Sequence, residues 1–165
     1  MAQLASAKAR PQGPVPIGIG DLVVSGHPSP TFTTVLGSCI AVGLWDPEVQ
    51  IGGLNHYLLA DSQGEAVNDL RYGDAAIPAL FTRVRDAGAD PRRMKAIIVG
   101  GANIIRAMLP IGTENANFAR DWLAKRRIPL LTDDTGGSQA RRVSFTPSDG
   151  TYRITTISDA ADLYS

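Results

Sequence analysis

Cysteine is almost absent from this sequence: Cys39 is alone among 165 residues. No intrachain disulfide framework is therefore possible. Histidine is nearly as scarce, with His27 and His56 only. A catalytic zinc site usually takes three protein ligands, and no credible trio exists, so no metal is expected. An excess of charge is missing too, because sixteen Lys and Arg balance sixteen Asp and Glu. Nothing in that balance draws the chain to nucleic acid or anionic lipid. The small basic clusters Arg92–Lys95, Lys125–Arg127 and Arg141–Arg142 read as solvated faces. No segment approaches the ~20 apolar residues that cross a bilayer. Lys8 and Arg10 lead into Pro11, Pro14 and Pro16, where a signal peptide would carry its apolar stretch. The expected location is the cytoplasm, with no direct membrane insertion. Hydrophobic residues at 44% also exclude a disordered chain.

What is present reads as one domain with a real core. Residues 1–14 lack apolar periodicity and are expected to form a mobile tail before a single domain over 15–165. Val15–Val24 is an expected first strand, loosened by Gly18 and Gly20. Thr31–Leu44 is rich in Thr, Val and Ile and reads as strand, interrupted at Gly37–Ser38. Asp46-Pro47 marks a turn, Ile51–Leu59 a strand, and Ala60–Leu70 a polar loop. In Ala75–Ala87 the residues Ile77, Leu80, Phe81 and Val84 follow the i, i+3, i+4, i+7 pattern of an amphipathic helix. Pro78 conflicts with an N-cap at Asp74, and a start near Ile77 would place it at the first helical position instead. Met94–Val99 reads as a buried strand, and Ala102–Leu109 as helical up to Pro110. Asn115 or Asn117 would cap a further helix carrying Phe118, Trp122 and Leu123 on one side and ending at Lys125–Arg127. Ile128–Leu131, Arg142–Phe145 and Tyr152–Ile157 read as strands between turns. This order points to α+β rather than a regular βαβ sheet.

By itself Cys39 is either a buried small hydrophobe or a reactive thiol, and composition favours the former. Its position relative to His56 changes that balance. A four-residue loop, Asp46–Val49, pairs Trp45 with Gln50 in an antiparallel hairpin. The same register sets Cys39 opposite His56, where Cβ atoms lie ~4.5–5.5 Å apart. A neighbouring imidazole can take the thiol proton and leave a nucleophilic thiolate. Gly37 and Ser38 allow close backbone approach, and consecutive N–H groups there can stabilise an oxyanion. A base of this kind needs an orienting partner. Thr31, Thr33 and Thr34 are candidates, whereas Asn55, as the strand neighbour of His56, faces the other side. Val99-Gly100-Gly101-Ala102 resembles a phosphate-holding turn but lacks the rest of either nucleotide fingerprint, so tight packing is the preferred reading. Asp133–Asp134 has no further ligand nearby and reads as a turn, and His27 as a loop residue.

Thr33-Thr34-Val35-Leu36-Gly37-Ser38-Cys39-Ile40-Ala41-Val42 resembles the signature of the CheD family of chemoreceptor glutamine deamidases. Gly53-Leu54-Asn55-His56-Tyr57-Leu58-Leu59, Arg71-Tyr72-Gly73-Asp74-Ala75-Ala76 and Gly100-Gly101-Ala102 are similar to that family's segments in order and spacing. So are Ile111-Gly112 with Asn115, and Asp134-Thr135-Gly136-Gly137 followed by Arg141-Arg142-Val143. The resemblance runs from about Ile17 to Ile157. It implies a catalytic cysteine at Cys39, a histidine at His56 and a threonine at Thr33, six positions before the cysteine. It implies cofactor-free hydrolysis of glutamine side chains to glutamate on chemotaxis receptor helices, through a cysteine thioester. It further implies a layered α/β/β sandwich akin to bacterial glutamine-deamidating toxins, and in many bacteria a CheC-type phosphatase as partner. The alternative is a docking module that binds receptors or such a phosphatase with little catalysis. Pro78 and the N-terminal tail depart from the family pattern.

Overall fold

A computed structural model describes residues 13–65, 67–104 and 109–158. Among these residues, nine strands and two longer helices follow one another. They are β1 (Val15–Pro16), β2 (Leu22–Gly26), β3 (Phe32–Leu36), β4 (Ile40–Asp46), β5 (Ile51–Asn55) and α1 (Gly73–Asp86). After a 3-10 turn at Pro91–Arg93 come β6 (Lys95–Gly100), α2 (Ile111–Lys125), β7 (Leu130–Thr135), β8 (Arg141–Thr146) and β9 (Thr151–Thr156). The strands form a five-stranded sheet, β2-β5-β4-β6-β7, and a four-stranded sheet, β1-β3-β8-β9. Each sheet has one parallel edge pairing, β6 with β7 and β1 with β3. The architecture is α+β, with both helices on one face of the larger sheet and the smaller sheet on the other.

β4 explains the layering. All seven of its residues are buried, so it has apolar side chains for both faces. Ile40, Val42 and Leu44 face the helices, among Leu80, Val84 and Leu123. Ala41 and Trp45 face the second sheet, with Cys39 just ahead of the strand on the same side. Trp45 meets Phe145 edge-on there, ring centroids 5.8 Å apart. Each fully buried Leu, Ile or Val contributes roughly 1.5–3 kcal/mol, so these two apolar layers supply the main driving force.

Several elements differ from expectation. The strand expected over residues 15–24 is two strands in different sheets. Gly18 to Asp21 turn the chain between them, with the Asp21 amide donating to Gly18 O at 3.0 Å and the Gly18 amide to Asp21 Oδ2 at 2.7 Å. α1 begins at Gly73, so neither expected start holds, and Pro78 lies inside the helix. The helix tolerates it because Ile77, Leu80 and Val84 are buried on either side and tertiary packing outweighs the lost bond. Asn115 and Asn117 cap nothing, because α2 starts at Ile111 after Pro110. Residues 102–104 are not helical, and residues 105–108 of that expected helix lie outside the described residues. So do residues 1–12 of the expected tail. Asp133 and Asp134 are not in a turn but in β7, paired with Arg120 and Arg141.

The hairpin register also needs correcting. Trp45 pairs with Gly52 and Asp46 with Ile51, two residues from the expected pairing. Asp46 stays in the strand because its carboxylate is fully buried. Arg93 lies 2.9 Å from Oδ2, and the Asp90 and Glu48 amides donate to the two oxygens. The loop therefore runs over 47–50, with Gln50 in the left-handed region at φ 58°. A shift of two residues leaves every side chain on its expected face.

Candidate active site

Continued through the Ile40–Tyr57 bridge, the β4–β5 register sets Leu58 opposite Cys39 and Ala41 opposite His56. Cys39 and His56 are thus diagonal neighbours on one face, not direct partners. Diagonal positions lie ~7–8 Å apart at Cα, within reach of a long or aromatic side chain. Both face the second sheet and both are buried, at 8% and 4% exposure. Asn55 points the opposite way. Its Oδ1 accepts from the Val42 amide and its Nδ2 donates to Ala76 O, so the side chain replaces a rung of the ladder beside His56.

The second sheet supplies the partner for the imidazole. Thr34 Oγ1 lies 2.7 Å from His56 Nδ1 and donates to Ile17 O at 2.9 Å. A hydroxyl has one proton, and a carbonyl oxygen can only accept. The Thr34 proton therefore goes to Ile17, and Thr34 must accept from Nδ1–H. This fixes the tautomer: Nδ1 carries the proton and Nε2 carries the lone pair. Nε2 is buried and has no hydrogen-bond partner. An orphaned buried acceptor costs about 1–3 kcal/mol and calls for an explanation.

Thr33, by contrast, lies on the other face of β3, half-buried. Its hydroxyl donates to Val143 O at 2.9 Å and accepts from Ser144 Oγ. Of the threonines named from the sequence, the structure brings Thr34 to His56 and leaves Thr33 and Thr31 on other partners. Strand alternation decides this, since neighbouring residues point to opposite faces.

Burial shapes both ionisable groups. It pushes the Cys39 thiol up, with only partial relief from its own backbone amide. It carries His56 down to about 4, opposed by the negative charge of Asp21. At neutral pH the resting pair is a thiol and a neutral imidazole, not a preformed ion pair. The imidazole is in the state required of a base.

The segment before Cys39 is held by its carbonyls. Gly37 O accepts from the Ala102 amide at 3.0 Å, and Cys39 O from the Gly101 amide at 2.8 Å. Ser38 O accepts from Asn115 Nδ2 at 2.9 Å. The Ser38 and Cys39 amides donate to no other residue among those described. Gly100 makes the close approach possible: at φ 116°, a Cβ there would lie 2.2 Å from Cys39 O. The Gly-Gly turn thus serves packing. A groove of about 400 Å³ opens beside His56, lined also by Ile17, Ile19 and Val35. A second, of about 240 Å³, opens beside Ser38 and is lined by Ile104, Leu109 and Ile111. Among the described residues, no group of three or more His, Cys, Asp or Glu gathers as a metal site would. Nor is any helix among them long and apolar enough to cross a membrane.

Asn115, read from the sequence as a possible cap, instead donates from Nδ2 to Ser38 O and Leu58 O. The signal was its place in the buried stripe Gly112, Asn115, Ala116, Ala119, Leu123 of α2, where a polar side chain needs a partner.

Cys39 and His56 thus share one buried face of a layered α+β scaffold. A family model described as CheD chemotactic sensory transduction matches residues 58–156. A probable chemoreceptor glutamine deamidase CheD 1 from Ruegeria sp. (strain TM1040) is 39% identical over 140 residues, covering 85% of this chain and 75% of that one. The probable chemoreceptor glutamine deamidase CheD of Caulobacter vibrioides (strain NA1000 / CB15N) is 41% identical, covering 81% and 73%. That of Clostridium novyi (strain NT) is 36% identical, covering 86% and 91%. The chain belongs to the CheD family.

Proposed function

We propose that this chain is a cysteine-dependent protein-glutamine deamidase acting on chemotaxis receptors. Cys39 is the nucleophile, His56 the base, and Thr34 the residue that holds the imidazole. The observation that carries this reading is the His56 tautomer, with Nδ1–H on Thr34 and a free lone pair at Nε2 on the face it shares with Cys39. The names of the relatives support the substrate class.

Cys39 Sγ attacks the side-chain carbonyl carbon of glutamine as its proton passes to His56 Nε2. The oxyanion that forms is met by the Ser38 and Cys39 amides, with Gly37 leaving the approach open. His56 returns the proton to the leaving nitrogen, ammonia departs, and a thioester remains. Water then attacks, giving a proton to Nε2, and the C–S bond breaks to release glutamate and restore the thiol. Because the resting thiol and imidazole are both neutral, proton transfer accompanies attack.

The test is the intact mass of a receptor cytoplasmic fragment after incubation with wild type or Cys39→Ala. Wild type adds about one dalton per modified glutamine, as conversion of an amide to an acid requires. An equal gain with Cys39→Ala refutes the mechanism. Normal chemotaxis in a Cys39→Ala strain, with loss on deletion, would assign the protein a docking role instead.

A further inference from the structure

We propose that Asn115 is a positioning residue that aims the Cys39 amide at the oxyanion. The proposal rests on the deamidase reading above. Asn115 lies on α2, 1% exposed, in the stripe that faces the large sheet. Its Nδ2 donates to Ser38 O and to Leu58 O, both at 2.9 Å. Both amide protons are therefore in use. Its backbone carbonyl accepts from Tyr57 Oη at 2.6 Å. Burial raises the Tyr57 pKa, so that hydroxyl remains a donor.

The peptide plane turns these contacts into a catalytic argument. In a trans peptide the C=O and the following N–H point in opposite directions. Holding Gly37 O on the Ala102 amide therefore aims the Ser38 N–H, and holding Ser38 O on Asn115 aims the Cys39 N–H. The first clamp is backbone, and the second is a single side chain. The other proton of that amide holds Leu58 O, two residues beyond His56 and opposite Cys39 in register. One side chain thus ties the nucleophile loop to the histidine strand. Gly112, one turn earlier on α2, lets the helix come close enough for this. A Cβ there would lie 2.4 Å from both Gly101 O and Ala102 O.

A merely structural asparagine and a positioning one differ in what their loss affects. Deamidation develops an oxyanion, whereas alkylation of Cys39 by iodoacetamide displaces iodide and develops none. The full chain is compared with Asn115→Ala for kcat and KM on a receptor cytoplasmic fragment, and for the rate of iodoacetamide alkylation at the same pH. The expected result is a fall in kcat of roughly 100-fold, with KM and the alkylation rate within about threefold of wild type. A kcat within about threefold of wild type, or alkylation falling in parallel with kcat, overturns the proposal. If Asn115→Ala does not fold, Asn115→Leu, which keeps the volume and removes both donors, is read by the same criteria. Failure of both to fold assigns Asn115 to folding alone and also overturns it. A wild type that deamidates nothing would sink the functional reading itself. An active wild type with an indifferent Asn115→Ala sinks only this inference.

Discussion

Replacing Thr34 by valine separates the tautomer argument from the family resemblance. The side chains match in shape and Thr34 is 3% exposed, so packing is preserved while the hydroxyl is lost. Two groups lose their partner, the buried His56 Nδ1–H and the part-buried Ile17 C=O. An orphaned Nδ1–H costs about 1–3 kcal/mol. Nε2 offers no partner in exchange, so nothing holds the ring in the orientation that turns its lone pair to the face shared with Cys39. Reaction then requires that orientation to be regained with an orphaned N–H, against the same 1–3 kcal/mol, a loss in kcat of about 5- to 150-fold. Deamidation kinetics on a receptor fragment give the rate, and nitrogen-15 spectra of the His56 ring give the tautomer directly. Wild type is expected to show a protonated Nδ1 and an unprotonated Nε2. Thr33→Val is the comparison, because the Thr33 hydroxyl serves Val143 O on the other face. Its kcat is expected within about threefold of wild type. A Thr33→Val loss equal to that of Thr34→Val, or a wild-type spectrum with the proton on Nε2, would refute the reasoning.

Acid should weaken the fold through His56. Its pKa is about 4 in the folded chain against about 6.5 unfolded, so between those values the unfolded chain binds a proton that the native one does not. Stability then falls as pH drops from about 6.5 to 4, by roughly 3 kcal/mol from this group. Urea unfolding at pH 7 and pH 5 should show the drop, and His56→Gln should flatten it; an equal drop in both chains rejects the assignment. The acid limb of kcat/KM for deamidation should likewise fall near pH 4, and an inflection at 6.5 or above would contradict a buried, neutral base. Gly112→Ala drives a methyl into two backbone oxygens 2.4 Å away, and neither can give way as a side chain would. Overpacking of this kind costs about 1–3 kcal/mol, which a thermal melt would register as a drop of several degrees. Because it pushes α2 off the Gly100–Ala102 turn, it should also lower kcat; a melt and kcat equal to wild type would show that the helix has room to spare.

The resting site is less activated than the identity of its residues suggests. A cysteine beside a histidine invites the expectation of a thiolate–imidazolium pair, but burial disfavours both charged forms here. In the proposed mechanism, catalysis depends on a base whose lone pair is aimed before the substrate arrives, and on amides already turned toward the developing charge. Both are prepaid in folding: the orphaned Nε2 and the clamped carbonyls at residues 37–39 are costs and constraints built into the native state.

The features legible in the sequence were local or periodic. The break at Gly37–Ser38 between two strands, the buried stripe of α1 and the alternation of faces along β4 and β5 depend on neighbours a few residues away. Face alternation has a period of two, which is why Cys39 and His56 share a face even though the register differed by two residues from expectation. Three matters were decided only in three dimensions. The register follows from Asp46, kept in its strand by Arg93, a partner 47 residues along the chain. The choice of Thr34 over Thr33 follows from which face of β3 the larger sheet covers, and no local pattern among Thr31, Thr33 and Thr34 distinguishes them. The role proposed for Asn115 rests on a contact spanning 77 residues, reached only because Gly112 lets α2 lie against the Gly100–Ala102 turn. The chemistry-bearing side chains were legible because their types are rare, and their partners were not, because hydrogen bonds between distant segments leave no periodic trace in the chain.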